Sequence, residues 1–152
     1  MKLYFSLFGI LVFAFILSAC ASPTPAVQTS SIEVTNAWVR ASGGMDSMST
    51  AALFMNIQNN GAAADTLLKV NSDVADMAQV HLSEMDANGV ASMHEVEGVE
   101  IPAGGSVELK SGSYHVMLMG LTRDLKAGDT VTFTLTFKNA GAITIEAQTK
   151  TQ

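Results

Sequence analysis

The sequence has a single cysteine, Cys20, in 152 residues. An intramolecular disulfide therefore cannot form, and a metal site built from several thiolates is excluded. Because Cys20 precedes every segment that has the pattern of folded structure, the folded part also lacks the thiolate that a blue-copper electron-transfer site requires. Methionine, by contrast, occurs nine times. Soft-metal chemistry in this chain would have to use thioether and imidazole ligands.

Basic residues are also scarce. Eight Lys and Arg stand against 14 Asp and Glu, which gives a formal net charge of −6. Nucleic-acid binding requires clustered Lys and Arg against the phosphates, so this balance argues against it. It suits attraction of a cation or a basic partner. The chain also has no Gly-rich phosphate loop and no nucleophile–base motif, and we therefore do not expect an enzyme.

The N-terminus has the pattern of an export signal. Lys2 precedes an uncharged apolar run over residues 3–19 that ends in small residues, as in a secretory leader. Cys20 closes the sequence LSAC, which resembles the bacterial lipobox, where the cysteine receives the lipid and becomes the mature N-terminus. We predict a lipoprotein signal peptide at 1–19, lipidation of Cys20 and a flexible tether at 20–31. The alternatives are an uncleaved membrane anchor and a chance cysteine. The predicted location is exported and membrane-attached, facing the periplasm or the cell exterior.

From Ile32 onward, short segments alternate apolar and polar residues between turn signals. Thr130–Phe137 is the clearest, since its apolar residues alternate with threonine. No segment has a helical period over three turns, although one short helical turn is compatible with Ser72–Met77. We predict a single all-β domain over residues 32–149, an antiparallel Greek-key β-sandwich or barrel. The predicted strands are Ile32–Arg40, Ala51–Gln58, Thr66–Val70, Gln79–Glu84, Ser106–Leu109, Tyr114–Met119, Thr130–Phe137 and Ile143–Thr149, with a further candidate at Val90–Glu95.

Histidine and methionine share one face of a predicted strand. In the segment YHVMLM, alternation places His115 and Met117 on one side, about 6.6–6.8 Å apart. In the strand before the Asp86–Gly89 turn, His81 lies opposite the apolar face. Met93 follows that turn, and a hairpin would return it toward His81. The pattern therefore places His115 and Met117 on one face and supports His81 by its face, whereas Met93 depends on how the hairpin returns.

This donor set favours Cu(I). Thioether sulfur is soft and neutral, imidazole is borderline, and together they select Cu(I) over Mg, Ca or Mn. They offer zinc none of its usual thiolate or carboxylate anchors. Because a neutral set holds Cu(I) without a charge-paired thiolate, exchange to another protein's ligands is plausible, as a carrier requires.

Each of these residues taken alone also has an ordinary explanation. A single methionine on a strand is usually core filler, and a single histidine is usually hydrogen-bonded structure. Met45 and Met48, in a polar Gly/Ser loop, are candidates for an accessory soft-metal contact, whereas Met55 fits the core. For His94 and Met119 the chemistry is right, but the sequence leaves their direction open.

The segment from His81 to Met117 resembles the PCuAC family of periplasmic copper chaperones. That family's signature is a His, a Met twelve residues on, and then 21 intervening residues before His-x-Met; here these are His81, Met93 and His115-Val116-Met117. The flanking sequences IPAGG, YHVMLMGL and LKAGD match as well. The resemblance covers essentially the whole folded part.

The resemblance implies a cupredoxin-like β-sandwich with His81, Met93, His115 and Met117 as Cu(I) ligands. It implies copper carriage outside the cytoplasm, toward the binuclear copper centre of cytochrome c oxidase or to another oxidase-assembly chaperone, and we expect a monomer. Two departures stand out: Leu82 replaces a frequent family methionine, and KSGS replaces the family's Pro-Gly-Gly turn before the second histidine. The C-terminus also has no His/Met-rich tail that could hold a second copper ion.

Two other functions compete with copper carriage. The first is a lipid-anchored interaction module whose sandwich carries these residues without metal transfer. The second is a copper or hydrolytic enzyme, for which the sequence offers no acid–base pair.

Overall fold

The computed structural model of the chain describes residues 31–41 and 50–151. The predicted signal peptide, Cys20, nearly all of the tether, and the loop with Met45 and Met48 lie outside the described residues. The described part consists of β-strands without any helix, and so contains no helix that could cross a membrane. The prediction of an all-β domain is confirmed.

Ten strands form the domain. They are β1 (Ile32–Arg40), β2 (Ala51–Asn59), β3 (Asp65–Ser72), β4 (Ala75–Met85), β5 (Ala91–Glu95), β6 (Val99–Ile101), β7 (Ser106–Leu109), β8 (Tyr114–Leu121), β9 (Thr130–Phe137) and β10 (Gly141–Lys150).

The strands join in one hydrogen-bonded path, β5-β4-β8-β2-β1-β10-β9-β3-β6, while β7 pairs with the second half of β2. Only β1 and β10 run parallel. In a flat sheet, β4 and β3 would be about 29 Å apart, at roughly 4.8 Å per strand. The two are nevertheless linked by residues 73–74 alone, a connection that spans about 10 Å at most. The path must therefore curl back on itself, which makes the sheet a sandwich around one core.

Alternation along β9 explains how this core is filled. Val131, Phe133, Leu135 and Phe137 are buried, and the threonines between them are exposed or half-buried. These side chains pack with the apolar faces of the other strands, including Leu53, Val116 and Leu118. Burying one such side chain contributes about 1.5–3 kcal/mol.

Asp65 fastens β3 to the turn between β9 and β10. Its buried carboxylate accepts hydrogen bonds from the backbone N–H groups of Thr66 (2.7 Å), Asn139 (2.8 Å) and Ala140 (2.8 Å). Three donors satisfy the charge that burial would otherwise leave unpaired.

Two expectations differ from the structure. No helical turn forms at Ser72–Met77, because β4 begins at Ala75 and Met77 already pairs with Met119. Strand β6 has no counterpart among the predicted strands, since three residues are too few to show alternation. It forms through pairing with Asp65–Leu67 of β3. The candidate strand at Val90–Glu95 is confirmed as β5.

Candidate metal site

Pairing of β4 with β8 places the first and third predicted ligands directly opposite each other. His81 is the cross-strand partner of His115, and their ring centroids are 6.1 Å apart at 46°. On the adjacent rung Val80 faces Val116, and both are buried in the core. Directly opposite residues share a face of the sheet, so the two histidines lie together on the face turned away from the core.

His115 presents one nitrogen for binding. Its side chain is buried, and Nδ1 lies 3.0 Å from the carbonyl oxygen of Ser113. A carbonyl only accepts, so Nδ1 carries the proton and donates it. Nε2 therefore keeps its lone pair, and the hydrogen bond orients the ring, as backbone carbonyls do for metal-bound histidines.

His81 presents the other nitrogen. Its Nε2 lies 3.3 Å from Oε1 of Gln79, an acceptor, so Nε2 carries the proton. The lone pair is then at Nδ1, which is buried and has no hydrogen-bond partner among the described residues. Burial, followed by the proximity of His115, lowers the pKa of His81 below 6.5, and Glu95 opposes this shift in part. A neutral imidazole with an unpartnered buried nitrogen is suited to metal binding.

Met93 reaches this face through the β4–β5 hairpin. Asp86 closes the turn by accepting hydrogen bonds from the N–H groups of Asn88 (2.9 Å) and Val90 (2.8 Å). The Val90 hydrogen bond is the main cause of the lowered pKa of Asp86. Met93 consequently pairs with Ser83, two residues along β4 from His81 and on the same face, and is 51 % exposed.

Met117 lies on the same face, two residues along β8 from His115 and opposite Gln79. His115, Met93 and Met117 together line an open cleft of about 400 Å³. The structure therefore brings the four predicted residues together, with three in the cleft and His81 against His115.

The donor set fits a soft, low-coordinate ion. Two imidazoles that share one ion through metal–nitrogen bonds of about 2.0 Å hold their centroids roughly 5–6 Å apart, close to the 6.1 Å between His81 and His115. Across residues 31–41 and 50–151, no group of three or more His, Cys, Asp and Glu could hold a metal ion. The arrangement thus offers imidazole and thioether donors, which suit a soft ion, with Glu95 paired across from His81 as a neighbouring carboxylate.

The remaining sequence candidates fall in different places. Met55 is buried in the core, as predicted. His94 pairs with Leu82 and so lies on the other face of the β4–β5 hairpin, where it is exposed. Met119 lies on the site face opposite Met77. Met45 and Met48 lie outside the described residues.

Phe54 and Arg40, which the sequence pattern did not indicate as site residues, also border the cleft. A bulge in β1, with Asn36 at φ 53°, re-aims the strand so that Trp38 faces Phe54 at 4.7 Å between centroids. The Phe54 ring lies 6.5 Å from that of His115, and the Arg40 guanidinium lies 5.1 Å above it. These residues come from strands far from His115 in sequence, so the local pattern did not indicate that they lie beside it.

The fold defines the class of protein. Solved structures with this architecture include a "Copper-bound PCuAC domain from PmoF2", with a TM-score of 0.66 and 24 % identity over 80 % of this chain and 94 % of that one. The solution structure of CuI-DR1885 from Deinococcus radiodurans gives a TM-score of 0.62 and 27 % identity over 83 % and 84 %. Its apo form gives 0.59 and 26 % over 95 % and 97 %. The cupredoxin-like fold and the resemblance to PCuAC domains are confirmed.

Residues 32–149 match the family model described as "Putative lipoprotein LpqE-like". The chain belongs to this family. It is also 34 % identical over 142 residues to "Putative lipoprotein Lxx21020" of Leifsonia xyli subsp. xyli, covering 88 % of this chain and 82 % of the relative.

Proposed function

We propose that this protein is an extracytoplasmic copper chaperone that binds Cu(I) through His81, Met93, His115 and Met117. The observation that carries the proposal is the His81–His115 pair, in which Nδ1 of His81 has no hydrogen-bond partner among the described residues and the Ser113 carbonyl holds Nδ1 of His115, so that Nε2 of that ring is the nitrogen offered to a metal. Support comes from the shared fold with PCuAC domains, two of whose solved structures are named as copper-bound or Cu(I)-bound.

The site combines a fixed part with an open part, which suits carriage rather than turnover. His115 is buried and held by a backbone carbonyl, whereas Met93 is 51 % exposed on an edge strand. An incoming thioether, imidazole or thiolate of an acceptor can reach the ion from the side of Met93. Cu(I) then leaves by stepwise ligand exchange, and the domain carries out no reaction on it.

The acceptor in this proposal is the copper centre of cytochrome c oxidase or another oxidase-assembly chaperone. Residues 1–19 serve as the signal peptide, Cys20 carries the lipid, residues 20–31 form the tether and residues 32–149 form the copper-binding domain, a monomer at the membrane surface. Support for the anchor comes from the lipoprotein descriptions of the family and of the Leifsonia relative.

The test uses the mature chain with Cys20→Ser, which removes the only thiol. Competition titration against a Cu(I) chelator should show one tightly bound Cu(I) ion per protein chain. X-ray absorption of this complex should show scattering from both nitrogen and sulfur ligands. The double variant His115→Asn/Met117→Leu should lose this bound ion.

The matched control is His94→Asn/Met85→Leu, which makes the same chemical changes at exposed positions of the β4–β5 hairpin. It should bind as the parent does. Unchanged Cu(I) affinity in the His115/Met117 variant would refute the ligand assignment. The absence of any Cu(I) binding by the parent would instead favour the metal-independent interaction module.

A further inference from the structure

Exposed methionines are concentrated on β4 and β5, two of the three strands that carry the candidate site. The exposed large apolar side chains of the described residues are Leu68, Met77, Met85, Val90 and Met93. The three methionines among them all lie on β4 or β5. A scattered exposed apolar residue needs no explanation, but the position of Met77 in the β4–β8 ladder calls for one.

Met77 lies directly opposite Met119, two residues along the ladder from the pair of Gln79 and Met117 and on the same face. Directly opposite residues have Cβ atoms about 4.5–5.5 Å apart, and same-face neighbours along a strand are about 6.6–6.8 Å apart. Met77, Met117 and Met119 therefore bring three thioethers onto one face: Met117 is level with Gln79, and Met77 and Met119 lie beyond it from the histidine pair.

These methionines do not fill the core. The residues that do so at this level are Leu118 and its partner Ala78, which lie on the opposite face. Met77 is 50 % exposed, and Met117 and Met119 are half-buried. Core packing, the ordinary reason for a methionine on a strand, does not account for this triplet.

The triplet matches the requirements of a soft monovalent ion. Three sulfurs at about 2.3 Å from one ion lie roughly 4 Å from each other, and the unbranched methionine side chain adjusts readily to such spacing. The carboxylate of Asp76 lies over the β8 backbone at Gly120, next to Met119: an ideal Cβ on that glycine would be 2.7 Å from Asp76 Oδ2. Because Asp76 alternates onto the opposite face from Met77, its charge adds general attraction for a cation and is not a ligand of the triplet.

We propose that Met77, Met117 and Met119 form a second, weaker Cu(I) site that shares Met117 with the first. The inference rests on the proposed function only through Met117, which serves both sites. Without imidazole and with an exposed donor, the second site binds less tightly and exchanges faster. Copper moves between the two sites by ligand exchange around Met117, without a change of oxidation state and without leaving the protein.

The experiment uses the mature Cys20→Ser chain. Methionine methyl and histidine ring NMR signals are followed during titration with Ag(I), a redox-inert soft probe, and stoichiometry is measured with Cu(I) under anaerobic reducing conditions. The His115 ring should respond to the first equivalent, and the methyl groups of Met77 and Met119 to the second, bound about 100-fold more weakly because it lacks imidazole donors.

The variant Met77→Leu/Met119→Leu conserves side-chain volume and should retain the fold. We expect it to bind only the first equivalent, with an affinity within about twofold of the parent. Met85→Leu, at a 72 % exposed position of the same strand, is the control and should bind both equivalents.

The outcomes separate the inference from the proposed function. Two equivalents in the Met77/Met119 variant, or methyl signals of Met77 and Met119 that stay fixed to saturation, would overturn the second site and leave the first intact. A response of these methyl groups without any response of His115 would support the thioether site and refute the assigned ligands. If the NMR signals of His115, Met77 and Met119 all remain unchanged throughout the titration, both the second site and the assigned ligands of the first site are refuted.

Discussion

Replacing His81 with leucine should stabilise the apo protein while removing its response to copper. Nδ1 of His81 is buried without a hydrogen-bond partner among the described residues. Leaving such a group unpaired costs about 1–3 kcal/mol. Because the ring as a whole is only partly buried, the lower end applies. The free energy of unfolding should rise by about 1 kcal/mol, which raises Tm by roughly 3–5 °C in a domain of this size.

The stabilisation should grow as the pH falls. Burial and His115 lower the pKa of His81 in the folded state; His94 adds to this lowering and Glu95 opposes it. Below pH 6.5 the unfolded chain therefore takes up the His81 proton more readily than the folded one, so the parent loses stability as the pH falls through that region. Leucine cannot titrate. The Tm difference between His81→Leu and the parent should therefore be larger at pH 5.5 than at pH 7.5.

Bound copper should reverse the order of stability, so that the parent has a higher Tm than His81→Leu. A ligand at a thousandfold excess over its Kd stabilises the folded state by about 4 kcal/mol, and the parent should gain this in Cu(I) whereas His81→Leu should not. Thermal unfolding of apo and Cu(I)-loaded samples at both pH values measures all three effects, with His94→Leu as the exposed control. A lower apo Tm for His81→Leu at pH 7.5, or a full copper-induced rise in that variant, would refute the reasoning about Nδ1.

Three further perturbations test other parts of the structure. Asp65→Ala leaves three backbone N–H groups without their acceptor and should cost about 2–4 kcal/mol, measured by urea unfolding; a loss below 1 kcal/mol would contradict the role given to this carboxylate. Gly120→Ala places a Cβ on a residue with φ +65° and against Asp76, and should lower the free energy of unfolding by about 1–3 kcal/mol. Adding Asp76→Ala to this variant should restore only the part of the loss that is due to the steric clash. Complete recovery would show that the backbone is not strained. Arg40→Gln removes a positive charge from the cleft. Because the Coulomb energy between this charge and the copper ion is on the order of 1 kcal/mol, the Cu(II)/Cu(I) potential should fall by roughly 40 mV. An unchanged potential in a redox titration would show that the charge does not act on the ion.

Strand alternation predicted the face of each side chain correctly where that face depends on the sequence of a single strand. In β9 every second residue is apolar and buried, and in β8 the same rule places Met117 on the face of His115. Met93 needed more, because its face depends on the register of the β4–β5 hairpin. The Asp86 turn sets that register, and alternation along β5 alone does not determine it.

Features built from distant segments escaped prediction for a physical reason. Phe54 and Arg40 join His115 only because β2 lies between β8 and β1, an order that local pattern does not encode. The three-residue β6 likewise depends on pairing with Asp65–Leu67 of β3. The short β3–β4 link depends on the pairing of β4 with β8. The helical turn considered at Ser72–Met77 failed because cross-strand pairing outweighs weak local propensity.

The rungs of the β4–β8 ladder explain how one small sandwich can both hold and release an ion. On one face, Val80 and Val116 are buried in the core, so the strands that carry His81 and His115 move only if the core opens. Met93, in contrast, is on a five-residue edge strand whose residues are all exposed and which, within residues 31–41 and 50–151, pairs only with β4. Edge strands with few buried contacts open at lower free energy than core strands. Under the proposed function, we therefore expect loss of the Met93 donor to be the least costly first step in copper release, with the histidine geometry left intact for the next ion.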